Sequence, residues 1–230
     1  DRKTYHVGAR NLFRDIDVNL PEEKIKHYES DGKTTIFLTE KNKLLGMVAV
    51  RDKIRESSSQ LIKELKKLGI RSEMITGDNK RTASAIAKEV GIDEYQSELL
   101  PEDKVKIIDQ LTAKYGSVAM VGDGVNDAPS LAKASIGIAM GAMGSDVALE
   151  TADIALMKDD LSKISYLIHL AKKTIKIIKQ NVFLSLSVKG SVALLALFGM
   201  INLWVAVAVG DMGLSLAVIF NAMRLAKVKV

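Results

Sequence analysis

Two aspartates set the chemistry of this chain. In Val118-Ala-Met-Val-Gly-Asp-Gly-Val-Asn-Asp-Ala-Pro-Ser an apolar run stops at Gly122 and delivers Asp123 and Asp127 into a glycine-rich turn, four residues apart around Gly124 and Asn126. Magnesium takes a near-octahedral oxygen shell from one or two carboxylates, substrate phosphate and water, and these two carboxylates suit it. The plainer alternative is a strand-to-helix turn with an acidic cap. The context, a short apolar strand before and a Pro-led helix after, is the one a metal-presenting turn requires.

Two more ionisable residues stand where charge is costly. From 182 to 201 and from 203 to 223 run two nearly uncharged stretches separated by Asn202, each about the roughly 20 residues a helix needs to cross a bilayer. Lys189 lies in the first and Asp211 in the second. Charge at bilayer depth costs at least about 2.5 kcal/mol, so such groups pair or line a pathway. Lys189 has the alternative of snorkelling to the interface, an escape the short side chain of Asp211 lacks. Gly210 and Gly213 beside Asp211 allow a helix backbone or an ion to approach. Asp211 is therefore expected at an ion or its counter-charge.

Composition fits this division. The 230 residues are 47% hydrophobic with a net charge of +5, but the charge is uneven. Lys172, Lys173, Lys176 and Lys179 gather before the first apolar stretch, and Arg224, Lys227 and Lys229 follow the second. That pattern faces anionic headgroups rather than nucleic acid, and puts both ends of the hairpin in the cytoplasm. There is no cysteine, which excludes disulfides and thiolate metal ligands within the chain. The opening Asp1-Arg-Lys-Thr-Tyr-His6 is polar and unlike a secretory leader.

The elements that must hold these residues follow from periodicity. Residues 4–7, 34–39 and 43–50 read as strands, with a helical turn at 11–15 and a short helix at 22–29, but without an obvious complete core. From Ser57 helices and strands alternate. Helices run through Leu61, Ile62, Leu65 and Leu68 to Gly69, through Thr82, Ala85, Ile86 and Val90 to Gly91, and from Pro101 through Ile107, Ile108 and Leu111. Strands are expected at 71–75, 95–99, 117–121, 136–140 and 154–157, with a helix at 145–150. Such alternation implies one parallel sheet with helices on both faces and ligands beyond the carboxyl ends of its strands. Thr76-Gly77-Asp78 and Gly122-Asp123 both lie at such ends.

Taken together, Thr76-Gly77-Asp78-Asn79, Leu100-Pro101-Glu102-Asp103-Lys104 and Gly122-Asp123-Gly124-Val125-Asn126-Asp127-Ala128-Pro129 resemble the phosphorylation domain of a P-type ATPase, within the haloacid-dehalogenase-like superfamily. Val147 to Asp153, Lys158-Asp-Asp-Leu161 and Ile177-Ile-Lys-Gln-Asn181 resemble its heavy-metal branch, and Asp211-Met212-Gly213 leading to Asn221-Ala-Met-Arg-Leu225 is similar to the zinc, cadmium and lead transporters. The resemblance implies an α/β fold, a haloacid-dehalogenase-like parallel sheet with helices on both faces, followed by a transmembrane α-helical hairpin. It divides the chain into part of a nucleotide-binding domain (1–45), a phosphorylation domain (46–165), and a basic juxtamembrane helix with two transmembrane helices (166–230).

Roles follow from the same resemblance. Asp123 would bind Mg²⁺ between an acceptor carboxylate and the transferred phosphoryl group, with Asp127 supporting the metal. Thr76 would donate its hydroxyl to a phosphoryl oxygen, Gly77 would supply backbone approach, and Lys104 would neutralise developing charge. Asp78 and Asn126 would face the nucleotide, ATP, or support the groups that do. Asp211 would ligate the transported ion with Lys189 as the neighbouring cation, and zinc accepts carboxylate oxygen without sulfur. The implied partners are membrane lipid, a divalent heavy-metal ion and an amino-terminal pump portion, at the cell membrane with the phosphorylation domain and carboxyl terminus cytoplasmic.

The resemblance has gaps. The phosphorylated aspartate of Asp-Lys-Thr-Gly-Thr does not occur. Asp31-Gly32-Lys33-Thr34-Thr35 has an inserted glycine and follows no apolar strand. The Cys-Pro-Cys, Thr-Gly-Glu and His-Pro motifs are also missing, and Ala9 stands after Gly8 where many members carry Asn. Without its nucleophile a covalent mechanism loses the step that divides one hard reaction into two easier ones. Three readings remain: part of a metal exporter, a non-catalytic membrane protein that binds Mg²⁺, phosphate or nucleotide and modulates a pump, and a phosphatase of the same superfamily with another nucleophile.

Overall fold

The computed structural model describes residues 3–123, 126–140, 146–157 and 160–227. Gly124, Val125, Ser145, Lys158, Asp159 and Lys229, singled out above, lie outside the described residues. The chain divides into two compact units, Asp1–Ser162 and Lys163–Val230.

The first unit opens with an antiparallel sheet in the order β1-β2-β3, formed by β1 (Tyr5–Ala9), β2 (Thr34–Glu40) and β3 (Lys43–Val50). The reversal between β2 and β3 uses Lys41 at φ 49°. β3 runs on to Val50, so this sheet passes through position 45. A core exists here after all: Phe13 from a 3₁₀ turn (Arg10–Phe13), Ile25 from helix α1 (Glu22–Ser30) and Phe37 from β2 are buried together. The rings of Phe13 and Phe37 meet edge to face with centroids 5.9 Å apart, a favoured aromatic geometry. The sequence did not advertise this core because its members come from three unlike elements.

From there helices and strands alternate as the periodicity demands: α2 (Glu56–Lys67), β4 (Glu73–Ile75), α3 (Lys80–Val90), β5 (Glu94–Gln96), α4 (Pro101–Tyr115), β6 (Ala119–Gly122), α5 (Ala128–Lys133), β7 (Ile136–Met140), α6 (Asp146–Thr151) and β8 (Ile154–Leu156). Gly91 and Gly116 follow α3 and α4 with φ of 88° and 82°, the left-handed region where a side chain would be strained.

The expected single parallel sheet is divided. β4 pairs with β5, and β6, β7 and β8 form a second parallel group. Among the described residues no ladder joins β4 to β6, although Ile75 of β4 packs against the cluster of Ile108, Met120, Leu131 and Ala139. Alternation correctly specified parallel strands; their adjacency depends on which edges find partners, and periodicity does not encode that.

In the second unit the basic segment and the first apolar stretch form one helix, α7 (Ser162–Leu197), of 36 residues. A turn with Gly199 at φ 67° reverses the chain. Asn202 caps α8 (Leu203–Val207), accepting from the Val205 amide at 2.9 Å. A π-helical turn (Ala208–Gly213) then leads into α9 (Leu214–Ala222). Among the described residues two segments are long and apolar enough to cross a membrane, Ser162–Leu197 and Trp204–Lys227. Their most apolar windows are 0% and 11% buried, far from the burial a soluble core hairpin would have.

Candidate functional site

The loop after β4 is built by its own polar groups. The Thr76 hydroxyl donates to the Asp78 carboxylate at 2.9 Å and accepts from the Asp78 amide at 3.1 Å. Its backbone is tied to the loop after β5: Thr76 N–H donates to Gln96 C=O, Leu99 N–H to Thr76 C=O and Glu98 N–H to Asp78 C=O. Glu98 adopts φ 59° to make this turn. A Cβ on Gly77 would lie 3.3 Å from the Leu99 carbonyl oxygen, so a glycine here keeps the two loops close. Asn79 serves helix α3, its side-chain oxygen accepting from the Arg81 and Thr82 amides at 3.1 and 3.0 Å.

The β5 loop leads directly into α4, which carries Lys104. Pro101 suits the first turn of a helix, and Asp103 reaches back to accept from the Leu100 amide at 3.3 Å. The Lys106 ammonium bonded to Asp103, and then this amide, hold its carboxyl below the usual carboxylate range. Lys104 sits on the same turn. Its ammonium reaches Asp127 Oδ1 at 2.6 Å, with both side chains only about one-sixth exposed (16% and 15%).

β6 ends at Gly122, and the missing side chain is what admits Asp127. A Cβ there would lie 2.8 Å from both Asp127 Cβ and Oδ2. The neighbouring Asp123 accepts from the Asn126 amide at 3.2 Å. The structure therefore brings together Lys104 with Asp127, Asp123 with Asn126, and Thr76 with Asp78.

This donor set fits Mg²⁺. Among the described residues no cluster of three or more His, Cys, Asp or Glu could cage an ion. Magnesium needs no such cage, since one or two carboxylates with water and substrate phosphate suffice. Asp123 and Asp127 would provide those carboxylates, and Lys104 holds one oxygen of the second.

Sequence reasoning passed over two features of this unit. Glu29 is buried, its side chain 4% exposed, and Arg81 donates to it at 2.9 Å. Ile25 and Glu29 are four residues apart on α1, so they share its buried face; that spacing was the available signal. Beside this pair opens a cleft of about 570 Å³, lined by Arg10, Arg14, Glu29, Asp78, Lys80 and Arg81 among others.

In the second unit the Lys189 ammonium lies 3.5 Å from Asp211 Oδ1, the partnership expected of two charges in apolar helices. Asp211 sits inside the π-helical turn, and Gly210 packs near Val192. At one end of the same helices Asn221 donates to Asn181 at 2.8 Å and Arg224 donates to Asn221 at 2.9 Å.

A parallel α/β sheet with a carboxylate pair at a strand end, followed by an apolar helical hairpin, defines the class. The chain belongs to the haloacid dehalogenase-like hydrolase family, which it matches over residues 2–135. It is 44% identical over 234 residues to a probable cadmium-transporting ATPase of Staphylococcus aureus (strain MRSA252), covering 100% of this chain and 32% of that protein. A probable cadmium-transporting ATPase of Listeria monocytogenes is 47% identical, with 100% and 33% covered. A copper-exporting P-type ATPase of Staphylococcus haemolyticus (strain JCSC1435) is 42% identical, with 100% and 29% covered. The crystal structure of a zinc-transporting PIB-type ATPase in its E2.Pi state superimposes with a TM-score of 0.78 at 40% identity, covering 97% of this chain and 36% of that one. The chain thus spans about a third of the length of the curated relatives it matches.

Proposed function

We propose that this chain is the carboxyl-terminal part of an ATP-driven exporter of divalent heavy-metal ions, Zn²⁺, Cd²⁺ or Pb²⁺, working through an aspartyl phosphate whose acceptor lies outside these residues. The observation that carries this reading is the occurrence, in one chain, of a Lys104–Asp127 pair at the mouth of a phosphoryl-binding loop and a Lys189–Asp211 pair in an apolar hairpin. A phosphatase would need the first and not the second. Similarity to cadmium- and zinc-transporting ATPases supports the same choice.

In the reaction an oxygen of the acceptor carboxylate bonds the γ-phosphorus as the bond to the leaving diphosphate breaks. Thr76 turns its hydroxyl from Asp78 to a phosphoryl oxygen, and the Gly77 backbone permits close approach. Lys104, already held by Asp127, balances the negative charge. Asp123 and Asp127 would hold Mg²⁺, which would supply positive charge against the phosphate oxygens. Asp78 and Asn126 orient these groups, and the cleft lined by Arg10, Arg14 and Lys80 receives the nucleotide. Asp211 takes the exported ion and Lys189 competes for the carboxylate once the ion leaves. We place residues 1–45 with the nucleotide-binding domain, whose sheet continues through β3 to Val50, the rest of 46–165 in the phosphorylation domain and 166–230 in the membrane region. The lysines before and after the hairpin hold the phosphorylation domain on the cytoplasmic face of the cell membrane.

Phosphorylation from γ-labelled ATP tests this reading, with this chain alone and with an upstream polypeptide carrying the acceptor motif. We expect no label alone, and in the pair an acid-stable, hydroxylamine-sensitive label that requires Zn²⁺ or Cd²⁺ and is lost in Asp123→Asn. Label on this chain alone would overturn the placement of the acceptor; an unlabelled pair would overturn the pump assignment.

A further inference from the structure

We propose that Asn181, Asn221 and Arg224 are positioning residues that set the register of the membrane hairpin and thereby determine that Lys189 meets Asp211. Two apolar helices in lipid have almost no hydrophobic reason to prefer one register, because the tails are as apolar as the side chains. Register has to come from small residues and a few polar contacts. Among the described residues of the second unit three polar contacts join the helices, and a fourth fixes one of their donors. Asn221 Nδ2 donates to Asn181 Oδ1 at 2.8 Å, with Gln180 Oε1 at 3.4 Å as a second acceptor, and Arg224 Nη1 fixes the Asn221 amide by donating to its oxygen at 2.9 Å. Lys189 pairs with Asp211 at 3.5 Å. Gly210 lies where an added Cβ would touch Val192 at 3.7 Å.

These contacts describe one register. The midpoint of each pair, Asn181 with Asn221, Lys189 with Asp211 and Val192 with Gly210, falls at Met200 or Ile201, in the turn that joins the helices. The asparagines are half-buried where most neighbouring residues are exposed, so they face the partner helix. Arg224 removes the freedom of the Asn221 amide to flip, which leaves its N–H₂ committed to α7. A slip of one turn would move Lys189 by about 6 Å along the axis, beyond the reach of a direct ion pair. A lone ion pair between a long flexible lysine and an aspartate tolerates such shifts poorly but does not prevent intermediate ones. An amide-to-amide bond between two short side chains does, because its donor and acceptor directions are both fixed.

The importance of this register for metal handling rests on the reading of Asp211 above; the register itself does not. Because the chain has no cysteine, it can be read by crosslinking. In the full chain in lipid nanodiscs, Val192→Cys with Gly210→Cys reports the observed register, since the expected Cβ separation suits a disulfide. Ala196→Cys with Gly210→Cys reports a slip of one turn. We expect Asn181→Leu with Asn221→Leu to lower the first disulfide at least fivefold and raise the second, while Asn221→Gln, which keeps the amide, retains most of the first. Unchanged yields in the double leucine variant would overturn the proposal. If that variant fails to reach the nanodisc, Arg224→Gln replaces it, with an expected twofold or greater fall in the first disulfide; no change there overturns the proposal equally. Cadmium binding measured on the same variants without the introduced cysteines separates the two readings: undiminished binding in the double leucine variant that also survives Asp211→Ala would refute the metal site and leave the clamp standing.

Discussion

Gly122→Ala is the sharpest probe of how the strand end shapes the site. The new methyl would sit 2.8 Å from Asp127 Cβ, 2.8 Å from its Oδ2 and 3.2 Å from its Cγ. Ordinary carbon contacts begin near 3.5 Å, so the first clash is about 0.7 Å too close, and it involves an atom next to the backbone rather than a flexible tip. Rotating Asp127 relieves the contact with Oδ2 but not with Cβ. The start of α5 must move, and overpacking of this kind costs about 1–3 kcal/mol. Movement of Asp127 also breaks its 2.6 Å contact with Lys104. That pair is mostly shielded, which places its loss between the roughly 0–1 kcal/mol of an exposed pair and the 3–5 kcal/mol of a buried one. We expect a combined loss of about 2–4 kcal/mol. With a urea dependence of about 2 kcal/mol per molar, the unfolding midpoint of the first unit falls by about 1–2 M. Acylation of lysines followed by peptide mass spectrometry should show Lys104 protected in the parent and more reactive in the variant. An unchanged midpoint together with unchanged Lys104 reactivity would refute the reasoning.

Three further outcomes are expected. In a pump completed by its acceptor, Thr76→Val removes the hydroxyl but keeps the shape, and phosphoenzyme formation should fall about 100-fold; wild-type rates would exclude Thr76 from the phosphoryl site. Arg81→Met leaves the buried Glu29 carboxylate without its partner and should cost about 1–3 kcal/mol in thermal unfolding, less than the roughly 3–5 kcal/mol of a fully buried pair because Arg81 is half exposed. Adding Glu29→Gln should recover most of the loss, and no recovery would show that the arginine acts by packing. The Asp103 carboxyl is held below its ordinary range by Lys106 and the Leu100 amide, so its contribution to α4 is complete above that range and disappears as pH falls through the depressed folded value. Carboxyl titration by NMR checks the direction, and Asp103→Asn should flatten that part of the acid unfolding curve.

What the sequence revealed depended on whether the cause was local. Gly91 stops α3 through its own backbone angle and Pro101 opens α4, so both helices were legible, as was β7. The Lys189–Asp211 pair was legible because apolar surroundings leave a charge few alternatives. The π-helical turn around Asp211 was not, since nothing in Ala208-Val-Gly-Asp-Met-Gly213 distinguishes it from an α-helix by composition. Lys172 to Lys179 read as a separate basic helix, yet no glycine or proline interrupts the chain before Val182, and α7 continues through both parts. At the site, motif spacing located Asp123 and Asp127 after β6 and Lys104 near the start of α4. It did not reveal that Lys104 and Asp127 hold each other, because 23 residues and two elements separate them.

The division of the parallel sheet makes a final test possible. β4 and β6 each end in a site loop, and among the described residues each has a parallel neighbour on one side only, β5 and β7 respectively. An edge strand carries a row of amides and carbonyls without ladder partners, which folded proteins rarely leave unanswered. Ile75 nevertheless packs on the cluster around Met120, so apolar side chains bring the two groups together where backbone hydrogen bonds do not. One extended strand inserted parallel between β4 and β6 would satisfy both rows, and its carboxyl end would emerge between Thr76 and the Lys104–Asp127 pair, where the reaction proposed above needs an acceptor carboxylate. Amide exchange follows such pairing directly. The amides of Glu73 to Ile75 and Ala119 to Gly122 that lack ladder partners should exchange rapidly in this chain alone and slow at least tenfold when an upstream polypeptide restores phosphorylation. Slow exchange in the chain alone would mean that the two edges are already closed, and an acceptor would then have to reach the site as a loop rather than as a strand.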